Sequence, residues 1–329
     1  ATGLRHENIV KTYGLESIPY AQLPPDFLRE FDTLSFENAR RMEPRIAVPG
    51  GRTAEERTRM RITAQAAGDD PRLYLMAMDY IEGTDLRTFM NDHSKRDLLM
   101  PVPLGAFIVS RIARALSYAH QTIIHRDISP ENLLLNLHGV VKLSDFGVAV
   151  SSAEVGVTGK ISYMSPEQIA GVPVDGRTDL YSLGLVLYLL LTGIPLQKTP
   201  FRLSTTERLE FVKQLTDRPF LSPHQVRPDV PEGISEICMR LLSRDREKRF
   251  PHAEGVVREL EQKYLYAKGF GPTNNSLQAY IELFDCQFKE ISADQLLQLP
   301  FLNGQLRRSA SPASCTPEGR ALLTETLNR

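Results

Sequence analysis

The run "LYSLGLVLYLLLTGIPL", beginning at Leu180, leaves a polypeptide few ways to fold. Its apolar residues surround a helix on every side, so that helix belongs in the centre of a large core or in a bilayer. It is short for a membrane span, and Tyr, Ser, Gly and Pro interrupt it. The chain has 329 residues, 42% of them hydrophobic, which is enough to bury such a helix. The expectation is a buried central helix and no membrane span.

Around that helix the pattern divides. "LRHENIVKTYG" (Leu4 to Gly14) reads as a helix end followed by a short strand. Glu16 to Asp70 is rich in Pro and Arg, with turn and breaker signals and no sustained apolar period. A solvated, irregular insertion is expected there. "RLYLMAMDYI" (Arg72 to Ile81) reads as a buried strand ending at Gly83. "GAFIVSRIARALSYAH" places Phe107, Ile108, Ile112, Ala115, Leu116 and Ala119 at helical spacing. "NLLLNLHGVVKLS" reads as two short strands around a tight turn at His138-Gly139. From Ser165 onward the pattern is helical, and the polar tail after Gly304 is expected to be disordered.

Charge and cysteines exclude other classes. A formal net charge of -1 gives no basic field for nucleic acid or an anionic membrane surface. Cys238, Cys286 and Cys315 are odd in number and far apart, with no CxxC or Cys/His cluster. A disulfide scaffold or zinc site is not expected, and a reducing, cytoplasmic setting fits.

The chemistry concentrates between Ile123 and Gly147, in "IIHRDISPENLLLNLHGVVKLSDFG". His125-Arg126-Asp127 is followed by Asn132 at the spacing H-R-D-x-x-x-x-N. Asp145-Phe146-Gly147 comes after the strand pair, and Ser165-Pro166-Glu167 lies beyond. One such triplet arises by chance, but three in this order and spacing are specific. Phosphoryl transfer from ATP asks for such groups. It needs metal ions against the phosphates, a carboxylate beside the attacking hydroxyl, and positive charge on the transferred group.

With these motifs the sequence resembles the eukaryotic-type protein kinase family in its Ser/Thr branch. It is most similar to the bacterial kinases that carry a "HRDISPEN" loop and "YMSPEQ". The resemblance covers Leu4 to Gly14 and about Arg72 to Phe250. It implies an α+β, two-lobed protein-kinase fold with an incomplete small lobe and a mostly helical large lobe. Residues 1–15 would be a remnant of the small lobe, and 16–70 the irregular insertion. Residues 71–265 would form the hinge and C-terminal lobe, and 266–329 a helical extension and disordered tail. ATP and Mg2+ would be the cofactors and proteins the substrates.

The resemblance also assigns roles. Asp127 would accept or orient the substrate hydroxyl proton, and Asn132 and Asp145 would hold two magnesium ions. Met78 falls at the gatekeeper position behind the adenine. Asp79 and Ile81 would offer backbone hinge bonds, and Leu134 would form the floor. Asp85 and Glu131 fall where the family contacts ribose and substrate. Asp179 would brace the catalytic-loop backbone, and Arg249 would pair with Glu167. Ser151, Ser152 and Thr158 are candidate regulatory phosphosites, with Arg126 as the basic partner, and Ser309 is an arginine-flanked site in the tail.

The chain departs from the family pattern in two ways. Most members carry a lysine where Ser129 stands. Aligned on the family's substrate-facing loop, "GKISYMSPEQ" has Lys160 where a Thr is usual. A hydroxyl and an ammonium have exchanged positions, and a long lysine stem can place its charge from either side. Lys160, opposite Ser129, is therefore expected to do the missing lysine's work. In addition, the Gly-rich loop and the V-A-I-K lysine would precede Leu4, and no lysine occurs from Thr12 to Ser94. The chain as given is expected to be N-terminally truncated and inactive alone. An active kinase and a non-catalytic pseudokinase scaffold are the two readings, and the intact Asp127, Asn132 and Asp145 favour the first. A small-molecule phosphotransferase on a related fold fits less well.

Overall fold

The computed structural model describes residues 3–19, 22, 58–65, 72–146, 161–197, 204–216, 220–269 and 271–286. They fall into two compact units, Ala1–Glu82 and Gly83–Arg329.

In the first unit, β1 (Thr12–Pro19), β2 (Thr58–Gln65) and β3 (Arg72–Asp79) form an antiparallel sheet in the order β1-β3-β2. Met76 pairs with Leu15 on one side and Arg61 on the other. Within 16–70, read as a mostly irregular insertion, β1 runs on to Pro19 and β2 occupies Thr58–Gln65. Met60, Ile62 and Ala64 alternate with Arg59, Arg61 and Thr63, a period of two that the surrounding Gly and Arg content obscures. The boundary at 71 moves as well. β3 is hydrogen-bonded along both edges and so belongs with the first unit. Where a helix end was expected near Leu4, a single turn closes with the Ile9 N–H donating to the His6 carbonyl at 3.1 Å.

The second unit opens with β4 (Gly83–Asp85), α1 (Leu86–Lys95) and α2 (Val102–Ala119). β5 (Leu133–Asn136) and β6 (Val141–Leu143) then complete the antiparallel sheet β4-β5-β6. The β5–β6 turn falls at Gly139, as the sequence indicated. Its φ is +72°, and a Cβ there would stand 2.0 Å from the Asn274 carbonyl oxygen. Only glycine fits both conditions.

The helical body follows: α3 (Pro166–Ile169), α4 (Arg177–Thr192), α5 (Thr205–Thr216), α6 (Pro223–Val226), α7 (Glu232–Leu241), α8 (Ala253–Leu260) and α9 (Asn274–Asp285). The apolar run that begins at Leu180 forms most of α4. Every residue from Thr178 to Thr192 is buried, and the helix packs against α2, α6 and α7. Each buried leucine contributes about 1.5–3 kcal/mol, so α4 is the main apolar anchor of this unit. Gly193 at φ +76° ends it. No helix among the described residues is long and apolar enough to cross a membrane.

α9 is held to α1 by a buried histidine. His93 Nδ1 donates to the Phe89 carbonyl at 2.8 Å, so Nε2 accepts from the Tyr280 hydroxyl at 2.9 Å. The ring stacks on Phe284, 4.2 Å away and 11° from parallel. Burial, reinforced by the Arg96 charge, pushes His93 down to about 4. Between pH 6.5 and 4 the unfolded chain therefore binds a proton that the folded chain refuses, so this contribution rises with pH. It is complete above about pH 6.5 and lost as the pH falls towards 4. Thermal melts across this range should show His93→Gln closing on the parent as the pH drops. The gap should change by about 2–3 kcal/mol between the ends of the window. Parallel curves for the two proteins would count against a neutral buried His93.

Candidate active site

The loop between α2 and β5 is organised by one buried carboxylate. Asp179, fully buried in the first turn of α4, accepts from the backbone N–H groups of His125 at 2.8 Å and Arg126 at 2.7 Å. His120 Nε2 also bonds it at 2.8 Å. These bonds hold Arg126 at φ +65°, a left-handed conformation costing a residue of this shape on the order of 1–3 kcal/mol. Gln168 Nε2 adds a bond to the Arg126 carbonyl at 2.9 Å. The brace expected at Asp179 is thus present, and two partners join it that no sequence motif marked, His120 and Gln168.

Within the loop, Asn132 connects the key groups. Its Nδ2 donates to both Asp127 Oδ2 at 2.9 Å and the Asp127 carbonyl at 2.7 Å. Its backbone carbonyl accepts from Ser144 N–H at 2.9 Å and Ser144 Oγ at 3.1 Å. Ser144 immediately precedes Asp145, which sits at φ +67°. His125 closes the arrangement. Its Nδ1 accepts from Asp127 N–H at 3.3 Å, so Nε2 donates to the Ser144 carbonyl at 2.8 Å. The ring meets Phe146 edge-on at 4.6 Å. Asp127, Asn132 and Asp145 are therefore tied together through Asn132, Ser144 and His125.

The donor set fits a hard divalent cation. With Nδ2 committed to Asp127, Asn132 has an amide oxygen of the kind a hard cation takes, and Asp145 adds a carboxylate to the same set. No group of three or more His, Cys, Asp or Glu side chains suited to a metal occurs among the described residues. A site with one or two protein oxygens suits Mg2+, which takes its remaining ligands from water and phosphate.

Glu167 and Arg249 tie the segment after the loop into the helical body. Arg249 Nη1 and Nη2 bond Glu167 Oε1 and Oε2 at 2.6 and 2.9 Å, and Thr178 Oγ1 donates to Oε1 at 2.8 Å. Burial pushes the Glu167 carboxyl up. The hydrogen bonds and charge of Arg249, with Thr178, outweigh it and hold the group below the usual range.

The other expected residues are spread out. Met78 and Asp79 lie at the end of β3 and Ile81 just beyond it, all in the first unit. In the second unit Leu134 lies on β5. Asp85 caps α1, accepting from Thr88 N–H and Oγ1, both at 2.9 Å. Glu131 is paired with Arg87 at 2.9 Å, a contact that sequence spacing gave no sign of. Ser129 is 1% exposed, and its Oγ has no hydrogen-bond partner among the described residues. Lys160, Ser151, Ser152, Thr158 and Ser309 lie outside the described residues.

Comparison with known proteins gives the same direction. A model described as "Protein kinase domain" matches residues 61–261, more than half of the chain. A probable serine/threonine-protein kinase of Clostridium acetobutylicum is 32% identical over 200 residues, covering 59% of this chain and 29% of that protein. The tyrosine-protein kinase MasK of Myxococcus xanthus is 28% identical over 298 residues, 85% of this chain and 42% of that protein. Aurora kinase C of Mus musculus is 35% identical over 205 residues, 60% of this chain and 69% of that protein. The chain thus spans less than half the length of the two bacterial relatives.

Proposed function

This chain belongs to the protein kinase family, and we propose that it serves to transfer the γ-phosphoryl group of ATP to Ser and Thr hydroxyls of protein substrates. The observation that carries this reading is the pair of hydrogen bonds that Asn132 Nδ2 donates to Asp127, with the Asn132 backbone tied to the residue before Asp145. It ties a proton acceptor to two oxygen ligands, and a scaffold has no need of that arrangement.

In this reading Asp127 takes the proton of the attacking hydroxyl while the new O–P bond forms and the bond to ADP breaks. Asn132 keeps the Asp127 carboxylate in place. Mg2+ bound by Asn132 and Asp145 would neutralise charge on the phosphates. Adenine and ribose contacts by Met78, Asp79, Ile81, Leu134 and Asp85 belong to the same proposal. Lys160 takes the place of the lysine replaced by Ser129, and the buried Ser129 Oγ, which has no partner among the described residues, supports it.

The test is transfer of labelled γ-phosphate by the full-length protein to peptides carrying Ser, Thr or Tyr. Incorporation into Ser or Thr supports the proposal, and no incorporation into any of them would overturn it. Incorporation into Tyr alone would favour the second reading, which the likeness to the Myxococcus tyrosine kinase raises. Lys160→Ala should lower turnover about tenfold, or roughly 1.4 kcal/mol of transition-state stabilisation. Ser129→Lys combined with Lys160→Thr should recover part of it, and unchanged turnover in Lys160→Ala would refute the exchange.

A further inference from the structure

We infer that α9 is a positioning element for the hairpin β5–β6, whose two ends lead to Asn132 and Asp145, an inference that rests on the kinase reading above. α9 begins at Asn274, beyond residue 261, where the match to the family model stops. Its sequence forms a helix for local reasons. Thr273 caps it in a reciprocal pair with Ser276. Leu277, Tyr280, Ile281 and Phe284 recur at i, i+3, i+4 and i+7 and make one buried face.

The hairpin is one hydrogen-bonded body from turn to base. β5 starts at Leu133, directly after Asn132, and β6 ends at Leu143, just before Ser144 and Asp145. Leu133 pairs with Leu143, and Leu135 with Val141. At the turn, Asn136 Oδ1 accepts from the N–H groups of His138 at 3.0 Å and Val140 at 2.7 Å. Close-packed, hydrogen-bonded elements of this kind transmit strain. A displacement of the turn is therefore felt at Asn132 and Asp145.

α9 fixes this body at two places. At its first turn the helix meets the hairpin with no space between them. The Cβ that Gly139 lacks would stand 2.0 Å from the Asn274 carbonyl oxygen and 2.6 Å from the Gln278 backbone nitrogen. Further along, Tyr280 and Phe284 grip α1. The Tyr280 hydroxyl bonds His93 Nε2 at 2.9 Å, and the Phe284 ring lies 5.0 Å from that of Phe89. The Arg96 guanidinium sits 4.1 Å over the same Phe284 ring and donates to the Phe284 carbonyl. α1 in turn follows β4, which pairs with β5 through Asp85 and Leu134. One helix thus braces the β5–β6 turn and the element that leaves the β4 edge of the same sheet.

Gly139→Asn and Phe284→Ala test this in the full-length protein. Asn accepts the left-handed turn, so its Cβ acts chiefly by pushing α9 away, and Phe284→Ala releases the grip on α1. With neither metal nor nucleotide present, the backbone amides of β5 and β6 should exchange with deuterium about tenfold faster in both variants, as a local opening. The Mg2+ concentration for half-maximal transfer should rise about tenfold, the low end of what misoriented ligands cost. Tyr280→Phe should move both readouts in the same direction and less far. Ile234→Val, which trims the core at α7, is the stability control: it should lower the melting temperature and move neither. Faster exchange confined to α9, with the hairpin and the Mg2+ dependence unchanged, would overturn the inference. Equal shifts in Ile234→Val would do the same, since they would mean a purely structural helix. Should Gly139→Asn fail to fold, Phe284→Ala and Tyr280→Phe decide. Faster hairpin exchange in the variants, with no transfer by the parent, would count against the kinase reading alone.

Discussion

Asp127→Asn in the full-length protein is expected to slow phosphoryl transfer about 10³-fold, within the range assigned to a positioned general base. Nucleotide binding and thermal stability should hardly change. The substitution is isosteric and keeps an oxygen able to accept from Asn132 Nδ2, while the second Asn132 bond goes to the backbone carbonyl and is untouched. What disappears is the carboxylate's capacity to take a proton. Single-turnover rates at saturating ATP, with a melting curve for each protein, separate chemistry from folding. A loss below about tenfold would mean that Asp127 only orients the hydroxyl, or that the reacting proton leaves by another route.

The positions of these groups were legible in the sequence because motif spacing is a local property. Asp127, Asn132, Asp145 and the turn at Gly139 lie within one short stretch, so chain geometry alone brings them together. The central helix was legible for a different reason. A run whose apolar residues surround the helix on every side can be satisfied only by burial, whatever lies around it. The first sheet was harder to read. β2 has the alternation of a strand, yet Arg59 and Arg61 hold the alternate positions in a stretch full of turn and breaker residues, so composition outweighed period.

Contacts between distant elements were not legible at all. His120 and Gln168 reach the loop from α2 and α3, and α1 brings Arg87 to Glu131. Each is an ordinary polar residue on a helix, and only the packing of the helices makes it a partner. His93 shows the same limit. It looks like a surface position in "NDHSKR", and it is α9 that covers it. Family resemblance foresaw Asp179 and Arg249, whereas the pairing of Arg87 with Glu131 came from packing alone.

Arg249→Met is expected to destabilise the second unit by about 3–5 kcal/mol, the cost of removing one partner from a buried ion pair. The Arg249 side chain is fully buried, and Glu167 is 7% exposed. Without the guanidinium, Glu167 would remain in a dry site with Thr178 as its one side-chain donor among the described residues, and burial would drive its carboxyl upward. Glu167 in the parent is held below its usual range, so it stabilises the fold above the unfolded value near 4.5, and that stability is lost as the pH falls through the folded value. In Arg249→Met this pH dependence should weaken or reverse. Arg249 also donates to the carbonyls of Ser243, Arg177 and Arg244 at 2.7, 3.0 and 3.2 Å, and these lose their donor as well. Glu167→Gln should be milder, because a neutral amide still accepts from Arg249 and Thr178. Denaturant melts at pH 7 for the two single variants and the double variant give the coupling energy. A coupling near zero would show that the carbonyl bonds of Arg249, and not its pairing with Glu167, hold this segment to α4.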